Sequence, residues 1–318
     1  MAESIMQNRR KFIKTIAAGT AGLSVLNSFN LITIPNAKKH IKLTILHTND
    51  MHSHIEPFDA YDSKYPGQGG MIKIADLIKK IRDQEGEVLL LDSGDIFQGT
   101  PYFNIFKGEV EFKLMSQMKY DASTMGNHDF DNGLTGFNKA LPFANFPFIC
   151  SNYDFSKTIL SDKTIPYKII EKKGIKIGVI GIGIKLDGLV DQKLYGKTLY
   201  KDPITTANKY ADYLKTEKQC QLIICLSHLG FNYNSNKISD IKLAKNTTNI
   251  DVILGGHTHT FFEKALIHKN KIGAPVIINQ AGWAALSLGR IDLTLNNKKS
   301  QKIDLQASVN SHKNYAKI

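Results

Sequence analysis

Histidine, aspartate and asparagine residues recur directly after five short apolar runs of this sequence. The residues concerned are Asp50, His52, Asp95, Asn127, His228, His257 and His259. Together they offer two carboxylates, four imidazoles and one amide, which is enough to hold two adjacent divalent cations. A mixture of His and Asp suits Zn, Mn, Fe or Co, whereas an all-carboxylate set favours Mg or Ca. The sequence therefore predicts a site for two borderline metal ions.

Each of these residues also has an ordinary structural explanation when it is taken alone. A lone His after a strand is usually a hydrogen-bonded loop residue, and Asn127 suits a turn. The alternate spacing of Asp50 and His52 can aim both side chains in the same direction in an extended segment. The same holds for His257 and His259. It is the coincidence of all five motifs that favours metal binding.

The apolar runs predict the elements that position these residues. Short strands are predicted at 41–46, 88–91, 122–125, 222–226 and 252–254, with 147–150 as a further candidate. Helical periodicity predicts helices at 71–81, 110–118, 205–218 and 238–245. Residues 167–171 and 175–182 predict a hairpin, and a β-rich end is predicted at 276–279, 286–295 and 303–305. The alternation predicts one α/β domain over about residues 40–310, whose polar residues meet at the carboxyl ends of its strands.

Three longer motifs surround the candidate ligands. Residues 46–54 read LHTNDMHSH, residues 94–99 read GDIFQG, and residues 126–133 read GNHDFDNG. With the two His motifs further along the chain, their order resembles the calcineurin-like metallophosphoesterase superfamily and, more narrowly, the 5′-nucleotidase family. The resemblance covers roughly residues 40–295. It implies an α/β fold of the metallophosphoesterase type, an αββα sandwich in a single domain.

The resemblance also implies a role for each residue that matches the family pattern. One metal would be bound by Asp50, His52 and His259, and the other by Asn127, His228 and His257, with Asp95 bridging both. The catalytic histidine would be His128, and Asp131 would be its carboxylate partner. Some family members carry an amide residue at the position of His259, so this position can tune the metal preference.

Neighbouring residues are left with open roles. Asp92 and Asp129 are either hydrogen-bond acceptors behind the ligands or turn residues, and His47 and His54 could support the first motif. Trp283 and residues 261–262 could form an aromatic surface near the site, but core packing is the favoured role for them.

The implied reaction is two-metal-dependent hydrolysis of phosphate monoesters, 5′-nucleotides or related nucleotides, by a metal-bridged hydroxide. One alternative is a phosphodiesterase or diphosphate hydrolase that acts on cyclic nucleotides or nucleotide sugars. Another is a catalytic subunit that needs a separate chain to complete its substrate site. Full-length 5′-nucleotidases carry a C-terminal domain that supplies arginines and stacked aromatic residues, and the 318 residues here are expected to lack it.

The N-terminal residues resemble an export signal. Arg9, Arg10, Phe12 and Ile13 match the twin-arginine pattern, and a weakly apolar, uncharged stretch follows Lys14. We therefore expect residues 1–37 to be a signal and linker, and residues 38–318 to be the catalytic domain. The partner would be the twin-arginine export machinery, and the location periplasmic or extracytoplasmic. If the signal is not cleaved, it would anchor the protein to the membrane.

The net charge of +12 does not by itself indicate a nucleic-acid-binding protein. Of the 41 basic residues, only Arg9, Arg10, Arg82 and Arg290 are arginines. Lysine is a well-hydrated point charge, whereas arginine supplies the planar fork that recognises phosphates and guanine edges. No specific nucleic-acid binding is expected, and the small phosphorylated substrate remains the predicted partner. The ordinary apolar content of 42% excludes a globally disordered chain.

Overall fold

The computed structural model describes residues 40–296 and 306–309 of the chain. Its strands are β1 (His40–Thr48), β2 (Leu89–Asp92), β3 (Ala122–Ser123), β4 (Tyr153–Asp154), β5 (Tyr167–Lys172), β6 (Ile175–Ile182), β7 (Leu199–Tyr200), β8 (Leu222–Ser227), β9 (Val252–Leu254), β10 (Leu266–Lys269), β11 (Pro275–Asn279), β12 (Gly289–Asn296) and β13 (Gln306–Val309). Its helices are α1 (Met71–Glu85), α2 (Pro101–Phe106), α3 (Glu109–Gln117), α4 (Gly133–Ala140), α5 (Gln192–Tyr195), α6 (Pro203–Thr216) and α7 (Asp240–Asn246).

Two mixed sheets form the centre of the fold. The first has the strand order β13-β12-β1-β2-β3, and the second has the order β10-β11-β9-β8-β6-β5. In the first sheet β1, β2 and β3 run parallel, while β12 pairs antiparallel with β1. In the second sheet β6, β8, β9 and β11 run parallel. The carboxyl ends of the parallel strands of each sheet therefore lie at one edge.

The side chains on β1 show how the layers pack. Leu43 and Ile45 point between the two sheets, where they pack in one buried cluster with residues such as Ile177 and Ile224. Leu46 points to the opposite face and packs in a cluster that includes Ile78 of α1. Burial of each such aliphatic side chain contributes about 1.5–3 kcal/mol to the free energy of unfolding. Strand periodicity thus gives the first sheet two apolar faces.

The second sheet is covered on its outer face in the same way. Ala211 of α6 and Leu243 of α7 pack against Ile223 and Ile253, which point away from the first sheet. Helix α6 begins where the Asp202 side chain accepts a hydrogen bond from the backbone N–H of Thr205 at 2.7 Å. The layer order is helices, sheet, sheet, helices, so the predicted αββα sandwich is confirmed.

Most predicted elements are confirmed to within a few residues, and three differ. The strand predicted at 122–125 is only two residues long, because the chain leaves the sheet to carry Asn127 toward the strand ends. Residues 147–150 make isolated bridges instead of a strand. The strand predicted to begin at 286 begins at Gly289, because residues 282–286 form a turn in which the Leu286 N–H donates to the carbonyl of Trp283 at 3.0 Å.

Other predictions fall outside the described residues. The predicted signal and linker at 1–37 and the predicted strand at 303–305 are among them, so both stay predictions. Within residues 40–296 and 306–309, no helix has both the length and the apolar character needed to cross a membrane.

Candidate metal centre

The loops that follow five strands bring the predicted ligands together at one edge of the sandwich. Three of these strands, β1, β2 and β3, belong to the first sheet, and β8 and β9 belong to the second. The convergence produces two clusters. Within each cluster, the candidate ligand atoms lie within 4.8 Å of one another. One cluster is Asp50, His52 and His259, and the other is Asp95, His228 and His257.

The Asp95 carboxylate lies between the two clusters. Its Oδ2 atom is 3.0 Å from Nε2 of His228 and 3.9 Å from Nε2 of His52. The Asn127 amide joins the second cluster, since its Oδ1 atom lies 2.8 Å from Nδ1 of His257. All seven residues that the sequence predicts as ligands are therefore brought together.

The side chains of both clusters converge as metal ligands do. Nε2 of His52 and Nε2 of His259 face each other at 3.0 Å. Nε2 of His228 is fully buried and makes no hydrogen bond to any atom of residues 40–296 and 306–309, although it lies 3.0 Å from Oδ2 of Asp95. Nitrogen and oxygen atoms that converge without satisfying one another by hydrogen bonds are arranged as the ligands of a shared cation are. The donor set of His, Asp and Asn fits borderline divalent metals.

The protonation of the histidines is governed by burial and by the two aspartates. Burial lowers the pKa of His52, and burial together with nearby His228 lowers the pKa of His257 to about 4. Neutral imidazole is the form that binds metal. At His228 burial also lowers the pKa, but the charges of Asp95 and Asp50 outweigh it and raise the pKa to about 10. Burial disfavours the charged form of Asp95, yet the net effect of its histidine neighbours is a lowered pKa.

The backbone at the ligands is strained. Left-handed φ angles of 47–73° occur at five ligand residues, namely Asp50, His52, Asp95, His257 and His259. Such angles are uncommon for residues other than glycine and tend to cluster at functional sites. Hydrogen bonds between loops hold them, because the N–H of His52 donates to the Asp95 carbonyl at 3.0 Å and the N–H of His257 donates to Oδ2 of Asp50 at 2.9 Å.

Asp129 organises the loops behind the ligands. Its carboxylate accepts hydrogen bonds from four backbone N–H groups, those of Asp95 at 2.9 Å, Ile96 at 3.0 Å, Phe97 at 3.3 Å and Gly126 at 2.8 Å. The side chain is fully buried, and burial together with the charge of Asp95 raises its pKa to about 8. Asp129 is thus an acceptor that ties the loop after β2 to the loop after β3. Asp92 also joins neighbouring segments, because its carboxylate accepts hydrogen bonds from the hydroxyl groups of Thr48 and Ser123.

We expect Asp129→Ala to lower the free energy of unfolding by about 3 kcal/mol or more. The change leaves four buried N–H groups without that acceptor, and each such group costs about 1–3 kcal/mol. Denaturant unfolding measures the effect. Asp62→Ala is the matched control, since partly exposed Asp62 also accepts two backbone N–H groups, which water can satisfy once the carboxylate is removed, so its midpoint should stay close to that of wild type. Equal midpoints for the two variants would contradict this role.

A second buried carboxylate supports the loop after β9. Asp240 accepts from the Ser227 hydroxyl at 2.6 Å and from Nε2 of Gln280 at 2.9 Å. Nε2 of Gln280 also donates to the carbonyl of Gly256 at 3.0 Å. No local sequence pattern marks Asp240 or Gln280 as part of the site, because their contacts join distant segments.

His128 and Asp131 form a pair beside the two clusters. Nδ1 of His128 lies 2.8 Å from Oδ2 of Asp131, and this hydrogen bond is the main reason that the pKa of His128 is raised. The backbone N–H of His128 donates to Oδ1 of Asp95 at 2.7 Å. The pair therefore favours a protonated imidazole held next to the candidate metal ligands.

A cavity of about 390 Å³ opens above the clusters. Its lining includes His128, His259, Gln98, His54 and Trp283. The favoured core role of Trp283 is wrong, because its ring lines this cavity, and the alternative of an aromatic surface near the site holds for this residue. His54 lines the same cavity, whereas His47 is fully buried and Nδ2 of Asn279 lies 3.0 Å from its Nε2 atom.

Comparison with known proteins decides the family. Residues 43–261 match the family model described as calcineurin-like phosphoesterase. The chain belongs to the calcineurin-like phosphoesterase family. Within it, the chain is similar to a snake venom 5′-nucleotidase from Crotalus adamanteus, with 38% identity over 228 residues that cover 69% of this chain and 37% of the relative.

Solved structures of this family show the same fold. The chain is similar to NAD nucleotidase (NadN) of Haemophilus influenzae, with 30% identity and a TM-score of 0.72 over 85% of this chain and 49% of that one. It is also similar to a 5′-nucleotidase precursor from Thermus thermophilus, with 28% identity and a TM-score of 0.74 over 85% of this chain and 55% of that one. The chain thus spans about half or less of the length of these phosphoesterase relatives.

Proposed function

We propose that this phosphoesterase hydrolyses phosphate monoesters of nucleotides with the help of two divalent metal ions. One ion would be held by Asp50, His52 and His259, and the other by Asn127, His228 and His257. Asp95 would contact both ions, because its Oδ2 atom lies 3.0 Å and 3.9 Å from histidines of the two clusters. This shared carboxylate between two His-rich clusters is the observation that carries the proposal.

The bound ions would supply Lewis acidity for the phosphoryl oxygens and lower the pKa of the attacking water. The chain's own residues would supply the remaining chemistry. Asp131 occupies Nδ1 of His128, which leaves Nε2 of that ring for the substrate. Since the pKa of His128 is raised, the ring can donate a proton or hydrogen bond to the leaving oxygen at neutral pH. Asp131 also keeps the ring in one orientation.

The choice of nucleotides rests on the relatives. The Crotalus adamanteus protein is named a 5′-nucleotidase and shares 38% identity with this chain. Dinucleotides are the second candidate substrates, since the Haemophilus influenzae structure, at 30% identity, is that of an NAD nucleotidase.

We expect the chelator-treated protein to release no phosphate from AMP, and added Mn²⁺, Co²⁺ or Zn²⁺ to restore release. The metals would act as Lewis acids on the phosphoryl oxygens and would lower the pKa of the attacking water, so their removal should abolish the reaction. Phosphate release is measured for AMP and an aryl phosphate. Hydrolysis of a cyclic nucleotide or of NAD frees nucleoside monophosphates and no phosphate, so the products of these two substrates are separated by chromatography. Each substrate is tested with and without metal.

The substrate panel separates the candidate reactions. Preference for AMP supports a nucleotide monoesterase, and cleavage of NAD or a cyclic nucleotide in its place supports the diphosphate or diester alternative. Hydrolysis of the aryl phosphate alone would contradict nucleotide specificity and would favour a chain that needs a partner for recognition. Turnover of no substrate with any metal would overturn the proposed reaction.

A further inference from the structure

The indole of Trp283 lies flat against the imidazole of His259. The ring centroids are 5.4 Å apart, and the two planes differ by only 5°. Trp283 is the single tryptophan of the sequence. The ring that it covers is a candidate ligand whose Nε2 atom is 3.4 Å from Oδ1 of Asp50. An aromatic residue therefore shields one face of a candidate metal ligand.

His259 differs from two other histidines of the site in how its ring is held. Nδ1 of His52 lies 3.2 Å from the Phe97 carbonyl oxygen, and Nδ1 of His228 lies 2.7 Å from the Ser93 carbonyl oxygen. Metal-binding histidines are usually oriented by such a bond on the second ring nitrogen. For His259, no hydrogen-bond partner of Nδ1 is found among residues 40–296 and 306–309. Ring stacking takes the place of that bond.

Trp283 is itself held by aromatic neighbours. His54 meets it edge to face with the ring centroids 5.5 Å apart, and Phe58 and Tyr65 lie at 5.7 Å and 6.3 Å in similar T-shaped contacts. Aromatic pairs of this geometry stabilise each other beyond the effect of their buried area, because the positive edge of one ring meets the negative face of the other. The indole therefore has little freedom to turn away from His259.

The turn that carries Trp283 is tied to both loops of the first cluster. The N–H of Ala284 donates to the Asp50 carbonyl at 2.8 Å, and the N–H of Gly282 donates to the Thr260 carbonyl at 3.0 Å. Ala284 and Ala285 take left-handed φ angles of 51° and 53°, which are costly for residues with a Cβ atom. These hydrogen bonds hold the strained turn, and they tie Trp283 to the loops that carry Asp50 and His259.

We propose that Trp283 is a positioning residue that holds the metal ligand His259 by ring stacking. The stack fixes the plane of the imidazole, so that Nε2 points at the position shared with Asp50 and His52. This inference rests on the proposed metal-dependent function, because it assigns a support to one of the two metal positions. It goes beyond that function, because it predicts that loss of Trp283 weakens metal binding at the position that contains His259 and not at the other position.

Cobalt binding tests the inference without turnover. The metal-free protein is titrated with Co²⁺, and bound metal is followed by calorimetry and by the visible absorption of the ion, which reports its coordination geometry. We expect wild type to bind two ions. Trp283→Leu should bind one of them at least about 10-fold more weakly, as loss of a ligand-orienting partner does, with an altered spectrum for that ion only. Trp283→Phe keeps an aromatic face and should recover most of the affinity.

Two further variants identify the position concerned. His259→Ala should weaken the same ion, and the double variant W283L/H259A should bind no worse than H259A alone, because the stack acts only through His259. Phe262→Leu is the matched control, since Phe262 packs against Phe231 and leaves the His259 ring untouched. It should bind both ions as wild type does.

The outcomes separate the two proposals. Two ions bound equally well by wild type and W283L would overturn the role of Trp283 and leave the proposed function standing. Equal weakening of both ions, or additive losses in the double variant, would also overturn it, because either result indicates general damage to the fold. Failure of wild type to bind any metal would overturn the proposed function and the inference together.

Discussion

Asp95→Asn is expected to reduce the turnover of a phosphate ester by at least about 1,000-fold. The Asp95 carboxylate lies 3.0 Å from a histidine of one cluster and 3.9 Å from a histidine of the other, and asparagine keeps its shape while removing its charge. The electrostatic contribution of metal ions to phosphoryl transfer amounts to several kcal/mol, and each 1.36 kcal/mol corresponds to a factor of ten in rate. Loss of about 4 kcal/mol gives the stated factor.

The measurement is the kcat for phosphate release at saturating metal, together with the number of Co²⁺ ions bound. Asp83→Asn is the control, because Asp83 is exposed on α1 and pairs only with Lys79 at 3.0 Å among its charged neighbours in the described chain. Its kcat should equal that of wild type. Retention of more than one tenth of the wild-type kcat by D95N would contradict a shared role for Asp95.

The second large effect concerns the His128–Asp131 pair. We expect His128→Asn to lower kcat by about 10²–10⁴-fold, the usual contribution of a positioned general acid, while both metals stay bound. The retained metals distinguish loss of proton donation from loss of the site. A variant that loses metal and activity together would contradict the assignment of His128 to catalysis.

Asp131→Asn should move the pH profile in a defined direction. The hydrogen bond to Asp131 raises the pKa of His128, so the protonated ring persists to higher pH in wild type. Removal of the carboxylate lowers that pKa, and the alkaline limb of the kcat profile should shift toward lower pH. Asp187→Asn, at an exposed residue paired with Lys185, is the control and should leave the limb unchanged. A shift toward higher pH in D131N would contradict the pairing.

Much of the architecture could be predicted because its cause is local. Apolar runs of the right length predicted β8 and β9 almost to the residue, and the spacing of residues 71–81 predicted α1. The candidate ligands were found because each follows directly after such a run. At these positions the local pattern predicts the strand, and the sheet places the residue after the strand at the shared edge, so the sequence was sufficient to predict the candidate ligands.

The rest depended on contacts between distant segments. Trp283 stands in an apolar stretch that favours the core, and only the left-handed turn at Ala284 and Ala285 directs it to the cavity. Asp240 reaches Gln280 across the second sheet, a contact of residues forty positions apart. The periodicity of a segment cannot predict contacts of this kind, because they form only when distant segments pack together.

The division of the ligands between the two sheets has a consequence for synthesis of the chain. Each cluster combines loops of both sheets: Asp50 and His52 meet His259, and Asp95 meets His228 and His257. A nascent chain that has emerged as far as β8 therefore contains neither cluster in full. Both metal positions come into existence within the same short stretch, residues 257–259, so a partly made chain has no complete binding site with which to capture metal early.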